Sequence, residues 1–251
     1  MKTVMGMGKN RTGIGTSPID AKATIEGAEQ GVPVVEPDGA AKIAGVRAEY
    51  VRESEPIGSV PPPTSVKGAV KAAGEMLGGK EPVVFLDKLG ERAAFERSGT
   101  RLYEALIAKL EAVDDTLGVP IDVVRHYHDQ ELAHFQLVSE AIERMGGDPT
   151  AETPSASVVG VAGSGLVQVI TDPRTSVIDA LQALQIAELT DNDGWVLLID
   201  LARGLGQDDL AAEFEKALKA EWEHLASVRR WLKATVAKKA GVEEQVATVS
   251  A

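Results

Sequence analysis

Four glutamates stand where a helical chain should carry apolar residues. Glu96, Glu131, Glu188 and Glu221 each fall three or four positions from apolar neighbours on a helix-period stripe. A lone ionised carboxylate in such a stripe costs several kcal/mol unless it is paired or binds a cation. Two of the four have a histidine three positions later, in Glu131-Leu132-Ala133-His134 and Glu221-Trp222-Glu223-His224. That spacing puts both side chains on one helix face, within reach of one metal ion. A single Glu-x-x-His arises by chance in Glu-rich helices. Two of them, in register with two further inward glutamates, need a common cause. Four carboxylate charges neutralise two divalent cations, and oxygen plus imidazole donors suit iron or manganese. The chain has no cysteine, which excludes thiolate-bound zinc, iron–sulfur centres and a thiol nucleophile.

The elements that must position these groups follow from apolar periodicity. It predicts helices from about Leu86 to Ala112, Pro120 to Met145, Ser176 to Arg203 and Asp208 to Ala237, with Pro120 in a first turn and Gly146-Gly147 as a stop. The connection from Gly147 to Thr175 holds a further short helix around Val158–Ile170. Two hairpins with short loops, joined by one long crossover, make an all-α four-helix bundle. The ligands must lie level along its axis. Glu188 and Glu221 stand roughly 22 and 20 Å from their turn at 1.5 Å per residue, and Glu96 and Glu131 roughly 24 and 17 Å from theirs. The hairpins repeat each other: 35 residues separate Glu96 from Glu131, and 33 separate Glu188 from Glu221. An aromatic residue, Tyr103 or Trp195, follows each single glutamate by seven positions.

With these residues the chain resembles the ferritin-like di-iron carboxylate superfamily, which includes ferritin, bacterioferritin, rubrerythrin and the ribonucleotide reductase small subunit. Within it, the chain looks like bacterial ferritin-like domain proteins that carry an N-terminal extension. The resemblance covers residues from about 82 to 235. It implies that Glu131 and Glu221 bridge two metals, that Glu96 and Glu188 are terminal ligands, and that His134 and His224 each cap one metal. It implies two iron ions per chain, with manganese as the alternative. It also implies an oxidase of Fe(II) that uses dioxygen or peroxide, a ferroxidase-like oxidoreductase. Two other functions fit the same ligands: a di-iron oxygenase or peroxidase acting on an organic substrate or peroxide, and a non-catalytic metal-stabilised interaction bundle.

Residues near the ligands carry more open readings. Asp191, one turn after Glu188, is either an acceptor for a ligand histidine's free N–H or a partly solvated residue bonded to Asn192 or the opposite helix. Tyr127, one turn before Glu131, either donates to a ligand carboxylate, supplies an electron or proton, or is plain core. Tyr103 and Trp195 read as core, and His126 and His128 as solvent-facing. Gly99, one turn from Glu96, leaves space for dioxygen or substrate, or for close helix packing.

Composition divides the chain. Of 251 residues, the first 80 hold 13 of 25 glycines and 7 of 12 prolines, with Tyr50 their only aromatic. The net charge of −12 is +1 over that segment and −13 over the rest. The expected organisation is a Gly/Pro-rich arm over 1–81, partly disordered with short helices, a di-metal bundle over 82–240 and a flexible tail over 241–251. Stripes at Ile43, Val46, Tyr50 and at Val66, Val70, Ala73, Leu77 suit docking helices, giving the arm a candidate protein partner. Ser59-Val60-Pro61-Pro62-Pro63 suits an extended spacer. Gly6, Gly8, Gly13 and Gly15 do not make a phosphate loop, since no Gly-Lys-Ser/Thr follows. The acidic balance disfavours nucleic acid. No apolar run of about 18 residues was evident, so no membrane is expected. The start lacks a secretory apolar stretch. A cytoplasmic homo-oligomer is the resulting expectation.

Overall fold

The computed structural model describes Lys22, Glu26, residues 39–62 and residues 82–242. The second N-terminal stripe, the early glycines and the end of the C-terminal tail lie outside the described residues. By compactness the chain divides at Pro56/Ile57. This is earlier than the compositional step at 81/82. The first unit contains helix α1, Gly39–Glu53. It buries none of its residues, and Ile43, Val46 and Tyr50 are exposed.

The second unit is all-helical among the described residues. It comprises α2 (Pro82–Ala112), α3 (Ile121–Arg144), α4 (Pro154–Thr171), α5 (Val177–Gly204) and α6 (Asp208–Ala240). Pro120 precedes α3 as its N-cap rather than sitting in its first turn. Ser176 and Asp179 form a reciprocal capping box that starts α5. Thr153 caps α4 by accepting from the Ala156 N–H. Helices α2 and α3 pack as one hairpin and α5 and α6 as another. The hairpins meet through α2 and α5 and through α3 and α6, and α4 lies along α2.

The core is layered along the helix axes. One apolar cluster gathers Phe85 and Leu89 of α2, Val138 and Ile142 of α3, Trp195 and Leu198 of α5, and Leu210 and Phe214 of α6. A second gathers Leu102 and Leu106, Val124, Leu181 and Leu184, and Val228 from the same four helices. The glutamates fall between the two clusters on every helix. Chain order through these layers reverses from α2 to α3 and from α5 to α6, as antiparallel hairpins require. So the apolar periodicity that folds the unit also fixes the level of the polar layer.

Two expectations change here. Residues 54–62 are irregular, but Val60 packs partly buried against the first apolar cluster. Val60 and Pro61 lie beside Leu86, Gly90, Ile142 and Thr153, so the spacer is seated rather than free. Helix α4 has 18 residues, a mean hydropathy of 1.3 and little burial, which makes it long and apolar enough to cross a membrane by length and composition. The sequence hid this because Gly and Ser interrupt its valines. Replacing Val60 with alanine should cost about 1 kcal/mol, for two half-buried methyl groups. Denaturant unfolding reads this, and an unchanged midpoint would show that the segment contributes nothing to packing.

Candidate metal centre

All six residues expected as ligands come together in the polar layer. Helix α2 brings Glu96, α3 brings Glu131 and His134, α5 brings Glu188, and α6 brings Glu221 and His224. Each is less than a tenth exposed. Glu131, Glu188, Glu221 and His224 offer ligand atoms that all lie within 4.8 Å of one another, and so do Glu96, His134 and Glu221. Glu221 is central. Its Oε2 lies 2.9 Å from His224 Nδ1, and its Oε1 lies 2.5 Å from His134 Nδ1. His224 Nδ1 is also 3.3 Å from Glu131 Oε1 and 4.0 Å from Glu188 Oε2. His134 Nδ1 is 3.8 Å from Glu96 Oε2.

These atoms are short of directed partners. Both oxygens of Glu96 and Glu221, one each of Glu131 and Glu188, and Nδ1 of both histidines are buried without a well-directed hydrogen bond. Buried polar atoms left in this state are costly, and a cation would satisfy them together. Burial pushes the four glutamate carboxyls well above their usual range, and neighbouring carboxylates add to the rise. Burial also lowers His134 to about 4, with help from Arg92, and His224 to about 3, with help from His134 and His126. Both imidazoles are therefore neutral near pH 7, the state that can ligate a metal. His224 Nε2 lies 3.0 Å from Gln130 Oε1. An amide oxygen only accepts, so the proton is on Nε2 and the Nδ1 lone pair faces the carboxylates.

Asp191 bonds to a facing helix, as one sequence reading allowed, but it is buried rather than partly solvated. It is buried in the layer, within reach of Glu96, Glu131 and Glu221. Its partner is not a histidine but Arg92, a residue that the apolar stripe did not single out. Arg92 Nη1 donates to Asp191 Oδ1 at 2.6 Å and to the Asp191 carbonyl at 2.8 Å. Its Nε lies 3.1 Å from Glu96 Oε1. The guanidinium stacks on Phe95 at 4.4 Å and lies 5.7 Å from the Trp195 ring centroid. The layer thus holds five carboxylates and one guanidinium.

Other neighbours also resolve. The Tyr103 hydroxyl donates to Glu188 Oε1, so this tyrosine is more than core. The Tyr127 hydroxyl pairs with Ser227 Oγ at 2.7 Å and reaches no carboxylate, while its ring lies 4.1 Å from the His224 ring. Trp195 packs edge-on against His134. Asn192 donates to the Glu188 and Glu221 carbonyls, tying α5 to α6 at the ligand level. His126 is exposed and His128 pairs with Asp129. The space at Gly99 is already filled: a Cβ there would collide with Glu131 Oε2. A Cβ at Gly194 would likewise collide with Arg92 Nη1. Two glycines on facing helices thus admit the carboxylate and the guanidinium. The i−4 spacing of Arg92 to Glu96 was the only sequence signal for the buried cation, and exposed pairs share that spacing.

The chain matches no protein-family model, no curated protein and no solved structure.

Two outcomes follow from this geometry. Gly99→Ala should destabilise the fold by about 1–3 kcal/mol through overpacking against Glu131. An unchanged urea midpoint would show that the carboxylate does not occupy that space. The second outcome concerns pH. A carboxyl raised in the folded state stabilises fully below its unfolded value, and the contribution is lost as pH rises through the folded value. The depressed histidines add stability only as pH rises to about 6.5, and are level above it. Metal-free protein should therefore lose thermal stability as pH rises above about 6.5. A flat or rising melting temperature above about pH 6.5 would contradict protonated carboxyls in the layer.

Proposed function

We propose that this chain is a ferritin-like di-iron carboxylate protein that oxidises Fe(II) with dioxygen or peroxide. In this reading the two hairpins form a ferritin-like four-helix bundle, with α4 in the long crossover. The observation that carries it is the charge of the buried layer. Arg92 cancels one of five carboxylates, and the remaining four match two divalent cations. Six orphaned carboxylate oxygens and two imidazole Nδ1 atoms supply the ligands. Hard oxygen donors with imidazole suit iron, and they accept manganese as well.

Iron held here would supply one-electron chemistry toward dioxygen. The chain's own residues do the rest. Glu221 faces both histidines and Glu131 faces His224, and in this reading both glutamates would span the two positions. Gln130 fixes the His224 tautomer, and Tyr103 holds one oxygen of Glu188. The acidic surface raises the local concentration of Fe(II) as substrate. The site is tight. The His134 side chain is 10% exposed, and those of the other five ligands at most 2%. Such a site suits small reactants, which favours Fe(II), dioxygen or peroxide over a bulky organic substrate.

Anaerobic Fe(II) loading should give about two ions per chain by elemental analysis, and exposure to oxygen should then yield an Fe(III) absorption band. Glu131→Ala and His224→Ala should each lower the oxidation rate at least about tenfold while leaving the helical circular-dichroism signal intact. Wild-type rates in both variants would remove this layer from the reaction.

A further inference from the structure

Helix α4 is fixed to α2 at both ends. At one end the Thr153 hydroxyl donates to the Asp87 carbonyl, and its side chain packs against Gly90. At the other, Lys109 donates to the carbonyls of Asp172 and Thr175. The two helices therefore run parallel. Between the fixings opens a cleft of about 800 Å³, with α2 along its floor, Phe135 and Ile142 of α3 on one side, α4 on the other, and residues 149–152 at one end. This size is that of a small-molecule site. From Gly90 to Arg101 the floor is roughly 16 Å long. Small residues create the space. Helix α4 presents Gly160, Gly163 and Ser164, and a Cβ at either glycine would meet nothing within 4 Å.

Charge and apolar surface are divided along the cleft. Arg97 and Arg101 line it one helical turn apart, on the exposed side of α2. Among the described residues neither guanidinium has an ion-pair or hydrogen-bond partner, although residues 81–251 carry a net charge of −13. The one carboxylate that lines the cleft, Glu152, stands at the opposite end and accepts from Ser157 Oγ at 2.6 Å. Helix α4 has no charged residue and buries only Ala156 and Ile170. An apolar helix left this open in an acidic unit gains if alkyl surface covers it. The one aromatic residue of the cleft, Phe135, packs against the apolar cluster of Phe85 and Leu89, so nothing here favours a flat nucleobase over an alkyl chain.

We propose that this cleft binds a single-chain anionic amphiphile, with its carboxylate or phosphate head against Arg97 and Arg101 and its alkyl chain along Ala93, Ile142 and Ala156. Guanidinium groups hold either head through paired N–H donors. The site lies outside the polar layer: Glu96 is buried, whereas Arg97 beside it is exposed. Binding here is therefore independent of the two-metal reading.

The test is calorimetric titration of the metal-free full chain with decanoate and with decyl phosphate, below their micelle-forming concentrations. One saturable site per chain is expected for one or both heads. Decanol, which has the chain without the charge, should bind at least about tenfold more weakly. Butanoate, which has the charge without the chain, should also bind at least about tenfold more weakly. The double variant Arg97→Gln/Arg101→Gln should lower the affinity for the charged amphiphile at least about tenfold. Gly160→Leu/Gly163→Leu, which fills the open space, should lower it by a similar factor, and both variants should keep the helical circular-dichroism signal. The decanol and butanoate comparisons decide the matter even if a variant does not fold. No saturable binding of either amphiphile, equal affinity for decanol or butanoate, unchanged affinity in both folded variants, or association only with phosphatidylglycerol vesicles would each overturn the proposal. Absence of Fe(II) binding is a separate failure, since it would overturn the metal reading and leave this cleft untouched.

Discussion

Five carboxylates and one guanidinium share a single buried layer across four helices. Apolar clusters lie on both sides of this layer and join the four long helices. The layer adds a cost that packing does not relieve. Desolvated carboxylates repel one another, and the fold can keep them only by protonation, by Arg92 or by a bound cation. Several otherwise unexplained features serve this compromise. Gly99 gives up a side chain so that Glu131 can lie against α2, and Gly194 does the same for Arg92. Asn192 links the carbonyls of Glu188 and Glu221 across two helices. A layer designed only for stability would be apolar. The retained charges therefore point to chemistry, and this is the basis of the proposed di-iron function.

The histidines sharpen that argument. Burial alone makes them poor bases that stay neutral, whichever nitrogen carries the proton. Gln130 decides the matter for His224, directing the Nδ1 lone pair toward three glutamates. The Tyr127 ring then lies over that imidazole and the Trp195 ring meets the other edge-on, so both imidazoles have little freedom to turn. Held ligands with little reorganisation are what a redox metal site needs to change charge without rebuilding its surroundings.

Much of this was legible in the sequence, and the reason is periodicity. Glutamates at core positions on four helices, two with histidine three residues on, identify a polar layer because a helix repeats every 3.6 residues. Chain separations of 35 and 33 residues then set the layer level. What escaped was what depends on contacts between helices. Arg92 precedes Glu96 by four residues, the spacing of an ordinary exposed ion pair, and only α5 packing over it makes it buried. Asp191 stands on the inward face as expected, but its partner could not be read from its own helix. The sequence placed Gly99 near the site and left its role open, because the collision it avoids is with a residue of α3. Val60 looked like spacer, since proline-rich composition does not show where a single valine docks. The all-helical class and its order of elements followed from local signals, while the pairing of buried charges is a tertiary fact.

In the proposed function, the polar layer would hold two metal ions between Glu96, Glu131, His134, Glu188, Glu221 and His224. The most direct measurement is anomalous X-ray diffraction from crystals of Fe(II)-loaded protein, at wavelengths on either side of the iron absorption edge. Two edge-dependent peaks are expected within the layer, one beside His224 and one beside His134. A map with no such peak in the layer, from protein shown to be folded and saturated with iron, would contradict it.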